Sequence, residues 1–366
     1  MSGKKKVLGF VSILGIVAVA AAGYVGYCQF TGRDMLDTPS TENVTITDTE
    51  IEANEEYVDP HVGMVENQLD GTWITEKKAQ KRPIAIMINN IREAIPQSGV
   101  SKADVVYEIL AEGGITRLMA LYDDYSDLPK IGPVRSARHY YCDIANEYDA
   151  VYVHYGQTKY AVSKMNELKL DHISGLDYVD GTVFYRDYNR VAPHNAYIST
   201  DGIDLGFDKT GTDKKRSEPV VSHFKWNEEP EKLKDGESAK KVTLGFSNYT
   251  TPYFTYNKKT KQYDRFQYGQ PQIDDQNNKQ LVFDNIIIQE VEEWDIDHNG
   301  YQTMKLTGTG NGYYITRGKQ IPITWKRSRD GVTRYCKANG KQIRMNKGKT
   351  YIAVFPKHRR DLIVFE

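Results

Sequence analysis

Cysteine is scarce in this chain. Cys28, Cys142 and Cys336 are the only three in 366 residues, and no CxxC or Cys/His spacing marks a zinc site. That excludes a zinc-stabilised fold and a disulfide-dense scaffold. A Cys142–Cys336 bridge would need an oxidising compartment, and two separate buried thiols is the expectation here. A surplus of either charge is also missing: 48 basic side chains face 49 acidic ones. No net positive field is left to hold a phosphate backbone, so nucleic acid is excluded as a partner. Catalytic signatures are missing too. No GxSxG, HExxH or phosphate-binding glycine loop occurs, and neither a metal nor a cofactor is expected.

One long apolar run is present. VLGFVSILGIVAVAAAGYVGY, residues 7–27, carries no charge and follows three lysines at positions 4–6. At about 1.5 Å per residue such a helix spans a hydrocarbon core of about 30 Å. Lysines before it and acidic residues after it place the N-terminus in the cytoplasm and the rest outside. The expectation is an uncleaved, single-pass anchor over residues 1–28, with the cytoplasmic membrane as partner through residues 7–27. Two alternatives stand beside it. One is a cleaved signal peptide using Ala20, Ala21 and Ala22 as a small-residue site. The other is acylation at Cys28, for which Tyr27 is too large a preceding residue.

Residues 29–78 are acidic, rich in threonine and poor in large apolar side chains. Such a stretch buries too little surface to offset its ordering entropy, so it reads as a flexible stalk. Length then favours two lobes. In residues 79–215, PIAIMINN, ITRLMALYDD and AVYVHYG read as strands. SARHYYCDIANEYD and TKYAVSKMNELK read as helices, and VVYEILAEGG fits either state. Strands alternating with helices argue for an α/β lobe. Residues 216–366 change to short β-rich runs such as VTLGFS, VFDNIIIQEV, IPITWKRS and TYIAVF, parted by NKKTK, GTGNG, NG and KG. Gly/Asn turns between short strands make a largely antiparallel lobe. The expected class is α+β, with layered sheets, helices in the first lobe and antiparallel strands in the second.

The segment IGPVRSAR, residues 131–138, is the strongest candidate for a site. Proline suits the first turn of a helix. A helix starting at Pro133–Ser136 would set Arg135 and Arg138 on neighbouring turns, beside free amides and the positive dipole end. With Ser136 as a further donor, that is an anion site for a carboxylate or phosphate. The competing reading is that both arginines brace the fold through Glu108, Glu112 or Asp143. Glu108 and Glu112 lie four apart, Arg117 follows Gly113–Gly114, His154 ends an expected strand, and His194 and Asn195 lie in RVAPHNAY. These carboxylates and imidazoles are the available acid/base groups.

Several of these runs carry a resemblance. RPIAIMINN, PQSGVSKADVVYEILAEGGITRLMALY, KIGPVRSARHYY, AVYVHYGQ and APHNAY, in that order, resemble the bacterial YerB-like family. GNGYYITRGKQIPITWKR and GKTYIAVFP resemble its companion C-terminal domain, so residues 80–358 are covered. The resemblance implies a mixed architecture of layered sheets in an extracytoplasmic, membrane-associated setting, and family members are often lipoproteins. Tyr27 departs from that pattern. The family brings no established activity, substrate or catalytic residue.

Two functions follow. The first is an envelope binding or scaffolding module that grips an anionic group through Arg135 and Arg138 and stacks tyrosines on a glycan or peptide. An envelope protein is a further partner of this kind. The second is a hydrolase of an envelope polymer using Glu108 or Glu112 with His154 or His194. The arginine-and-turn cluster favours the first.

Overall fold

The computed structural model describes residues 60–217, 222–329 and 331–366. The apolar run, Cys28 and the first part of the acidic segment lie outside these residues. Among the described residues, no helix is long and apolar enough to cross a membrane.

An eleven-stranded mixed sheet organises the fold. Its strands are β1 Ile84–Asn89, β2 Val105–Leu110, β3 Thr116–Tyr122, β4 Val151–His154 and β5 His172–Ser174 from the first half. The second half supplies β6 Glu237–Ser238, β7 Asn285–Val291, β8 Gly308–Thr316, β9 Lys319–Arg327, β10 Arg334–Cys336 and β11 Thr350–Pro356. In space they run β6-β9-β8-β7-β11-β2-β3-β1-β4-β5, with β10 also paired to β9. Every residue of β1, β2 and β3 is buried. This settles VVYEIL as a strand, and the Glu112–Gly114 segment that follows is a single 3-10 turn. A strand covered on both faces shows no alternation, so its pattern alone does not separate it from a buried helix.

The last long strand joins the two halves. β11 runs parallel to β7 on one side and to β2 on the other. The sheet is therefore continuous across the boundary expected near residue 215. A second sheet is antiparallel and follows the order Gln270–Pro271, Gln262–Gln267, Tyr253–Asn257, Lys241–Leu244, Ile363–Phe365. In Gln262–Gln267 every second side chain is buried, as a strand covered on one face requires. The helices α1 His139–Glu147, α2 Lys159–Leu168 and α3 Thr200–Thr210 belong to the first half. Thr158 caps α2 by accepting from the Ala161 amide at 3.1 Å, and Ser199 caps α3 by accepting from Gly202 at 3.2 Å. Layered sheets with helices in the first half make the expected α+β class.

The stalk expected to reach residue 78 ends earlier. Met64–Glu66 pairs with Trp73–Thr75 in a hairpin. Leu69 at its tip is 1% exposed, and Asp70 O accepts from Gly348 N at 2.7 Å. Leu69, this backbone bond and a 2.7 Å ion pair between Lys347 and Glu66 anchor a segment whose composition alone reads as loose. Cys142 and Cys336 are free, buried thiols.

Candidate functional site

The segment around Arg135 is extended rather than helical. α1 begins at His139, and its N-cap Arg138 has φ −128° and ψ 146°. The cause is a competing set of backbone bonds. β1 and β4 pair only from Ile84 with Val151 to Ile86 with Val153. Beyond that point residues 133–137 fill the gap between them. Asn89 N donates to Pro133 O at 2.9 Å and Arg135 N to Met87 O at 2.9 Å. On the other edge Tyr155 N donates to Arg135 O at 3.0 Å and Ala137 N to Gly156 O at 2.9 Å. Gly132 makes the entry possible. Its φ is 144°, and a Cβ there would lie 2.8 Å from Val134 N and 2.9 Å from Ala196 O. In an extended segment residues three apart point to opposite sides. Arg135 and Arg138 therefore do not form the helical pair that their spacing suggests. Nor does Ser136, the next residue along, share the Arg135 side.

Two of the three nearby guanidiniums are braces. Arg138 meets Glu112 through Nε–Oε1 and Nη2–Oε2 bonds of 2.6 Å each, and its Nη1 donates to Ala137 O at 2.9 Å. Arg117 donates from Nη1 to Ser136 O, and its Nη2 lies 3.9 Å from Glu112 Oε2. One carboxylate thus serves two cations. Burial pushes the Glu112 carboxyl up, but the Arg138 bonds and charge more than reverse this and hold it below its usual range. Burial, followed by the Arg138 charge, brings Arg117 down to about 10.

Arg135 is different. Its side chain is half-buried, and among the described residues no carboxylate pairs with it. Burial and then the like charge of Arg138 lower its pKa. His194 is close enough to feel Arg135, and its pKa is lowered by burial and then by that charge. Asn89 Nδ2 lies 2.7 Å from His194 Nδ1. An amide NH₂ only donates, so Nδ1 accepts and the neutral ring carries its proton on Nε2. Arg190 also acts on His194, and its own guanidinium reaches the carbonyls of Pro96 at 2.6 Å and Glu93 at 3.4 Å rather than a carboxylate. Asn195 supports the edge of this region. Its Oδ1 accepts from Arg186 Nη1 at 2.8 Å, and Arg186 lies 5.0 Å over the Tyr155 ring.

The other candidates are occupied elsewhere. Glu108 is fully buried between the two sheets. Its Oε1 accepts from Thr116 Oγ1 at 2.6 Å and Asn90 Nδ2 at 3.1 Å. Its Oε2 takes Arg265 Nη2 and, at 2.7 Å, the Tyr351 hydroxyl. His154 is also fully buried. Its Nδ1 faces Gly156 O at 3.0 Å and so carries the proton, which leaves Nε2 to accept from His172 Nδ1 at 3.2 Å. Burial, then the His172 charge, brings the His154 pKa to about 3. Among the described residues no group of three or more His, Cys, Asp or Glu side chains converges as a metal site.

The structure therefore gathers Glu112, Arg117, Arg135, Ser136 and Arg138 around one strand-like segment, with His194 and Asn195 on a neighbouring loop. It leaves Glu108 and His154 in the interior. Sequence reasoning missed Asn89, Arg186, Arg190 and Tyr155. Asn89 closes an apparent strand, where α/β sheets tend to place ligands. The two arginines had no pattern to betray them.

Known proteins match nearly all of this architecture. Residues 69–213 match the N-terminal domain, and residues 242–352 the C-terminal domain, of the family described as protein of unknown function (DUF3048). A Bacillus subtilis (strain 168) protein named "Putative lipoprotein YerB" is 33% identical over 291 residues, covering 79% of this chain and 85% of its own length. The crystal structure of the YerB protein from Bacillus subtilis matches with a TM-score of 0.74 at 32% identity, covering 82% of this chain and 99% of that one. The YerB-like resemblance seen in the sequence holds over both halves.

Proposed function

The chain belongs to the DUF3048 family, and within it we propose a membrane-tethered, extracytoplasmic binding or scaffolding module whose Arg135 receives an anionic group. One observation carries this reading. Arg135 is half-buried without a carboxylate, within reach of the like charge of Arg138. A carboxylate or phosphate arriving there would relieve both the like-charge repulsion and the desolvation of the cation. His194 offers a second donor through Nε2–H. Tyr188, 88% exposed on the same loop, offers a flat face to a glycan or peptide.

Support for binding over hydrolysis comes from the state of the acid/base candidates. Glu108 has its oxygens filled by four donors, Glu112 is locked to Arg138, and His154 has both ring nitrogens engaged. The address rests on the apolar run 7–27 and on the lipoprotein name of the relative. Whichever segment anchors the chain, a tether raises its effective concentration at the membrane surface.

Calorimetric titration of the full chain with inorganic phosphate and with acetate tests the site. Binding that is lost in Arg135→Ala and kept in Asn195→Ala supports it. Undiminished binding in a folded Arg135→Ala protein overturns it.

A further inference from the structure

A second cationic feature lies far along the sequence from Arg135. Lys232, Lys240, Lys258, Lys261, Arg317 and Lys319 line one cavity of about 540 Å³. Pro230, Ser238, Tyr256 and Gly318 complete its wall, and no acidic residue lines it. The cations come from separate segments: the 230–240 stretch, the turn between Tyr253–Asn257 and Gln262–Gln267, and the β8–β9 turn. Lys319 Nζ donates to Gly236 O at 2.8 Å. Among the described residues, none of the six has an ion-pair partner. Six like charges facing one concavity repel one another, and nothing within the cavity wall offsets that.

Backbone geometry gives an independent observation. Arg317 and Gly318 form a two-residue turn with φ values of 48° and 76°. Such a turn favours asparagine before the glycine, because a longer L side chain is strained at positive φ. Lys261 sits at φ 64° at the end of the other turn, where glycine is the unstrained choice. Two turn positions that local geometry would give to Asn or Gly are held by cations. Local conflicts of this kind gather where the side chain is needed for a function.

We infer that this cavity binds a polyphosphate-type ligand, a flexible chain or small molecule carrying several closely spaced phosphate charges. Lysine ammonium groups are compact point charges suited to phosphate oxygens. The volume lies within the range of about 300–1,000 Å³ typical of ligand cavities. A phospholipid surface presents the same charge but a different shape. It is flat, and proteins that lie on it add apolar side chains. None of the large exposed apolar residues lines this cavity. The inference is independent of the Arg135 reading.

The test is calorimetry on the full chain with sodium tripolyphosphate, orthophosphate and short-chain phosphatidylglycerol micelles. The expected result is saturable binding of tripolyphosphate at least about tenfold tighter than orthophosphate, weakening as salt rises. Measured in an Arg135→Ala background, which silences the other proposed anion site, the triple variant Lys232→Glu, Lys240→Glu, Lys258→Glu should lose at least about tenfold in affinity, and the exposed control Lys77→Gln should lose none. The milder pair Lys258→Gln, Lys261→Gln, which adds no acid, should lose part of it. Any one of four results overturns the inference: equal affinity for orthophosphate, unchanged binding in a folded Lys258→Gln, Lys261→Gln protein, preference for the micelles, or no saturable binding. Loss of tripolyphosphate binding in Arg135→Ala would reassign the ligand to the other site and equally overturn it.

Discussion

Arg138 and Glu112 meet face to face, with both guanidinium-to-carboxylate bonds at 2.6 Å. Arg117 leans on the same carboxylate from 3.9 Å. Glu112→Gln keeps the shape and removes the charge, so two buried cations lose their counter-charge. A fully buried pair broken in this way costs about 3–5 kcal/mol. The Glu112 side chain retains 23% exposure, so a smaller loss of about 1–3 kcal/mol is expected in urea unfolding. Arg135→Ala, by contrast, should leave stability within about 0.5 kcal/mol, because it breaks no ion pair.

Glu112 also sets an acid limb. Its folded pKa lies below that of the unfolded chain, so its stabilisation is complete above about pH 4.3 and is lost as pH falls through the folded value. Unfolding midpoints measured across that window should fall more steeply in wild type than in Glu112→Gln.

His154 acts in a higher window. Its folded pKa of about 3 lies below the ordinary value of about 6.5. Between those values the unfolded chain binds a proton that the folded chain does not. Stability is therefore lost as pH drops below about 6.5, by at most about 1.4 kcal/mol per pH unit for this one group. Comparing pH 7 with pH 5, His154→Gln should show a smaller drop than wild type.

Arg265 and Glu108 tie the two sheets together through a fully buried pair. Arg265→Met should cost about 3–5 kcal/mol by stranding the carboxylate, and adding Glu108→Gln should recover part of that loss. Denaturant unfolding of the single and double variants measures both.

The Cys142 thiol is held well above its usual pKa by burial. It should resist iodoacetamide in the folded protein and react only once the chain unfolds. Mass spectrometry after native and denaturing alkylation reads the difference.

The sequence conveyed class better than contact. Helices at His139–Glu147 and Lys159–Leu168 lie inside the spans expected for them, because their amphipathic spacing and end signals are local. The extended path of residues 133–137 was not legible. It depends on the gap between β1 and β4, which exists only once the sheet has formed. The stalk was read too long because Leu69 is one apolar residue among many polar and acidic ones, with no periodicity to mark it. Its value lies in the core that it enters. At the site, Arg135 and Arg138 look equivalent in IGPVRSAR. What separates them is Glu112, brought to Arg138 from the end of β2 and not to Arg135.

The most direct test of an open Arg135 is a ¹⁵N–¹H NMR titration of arginine Nε–Hε resonances in the full chain with phosphate and with acetate. Arg135 and Arg138 are assigned from their lysine variants. The Arg135 resonance should shift saturably with at least one anion while the Arg138 resonance stays fixed in its pair with Glu112. An Arg135 signal that does not move, or that only drifts linearly together with that of Arg138, contradicts the account.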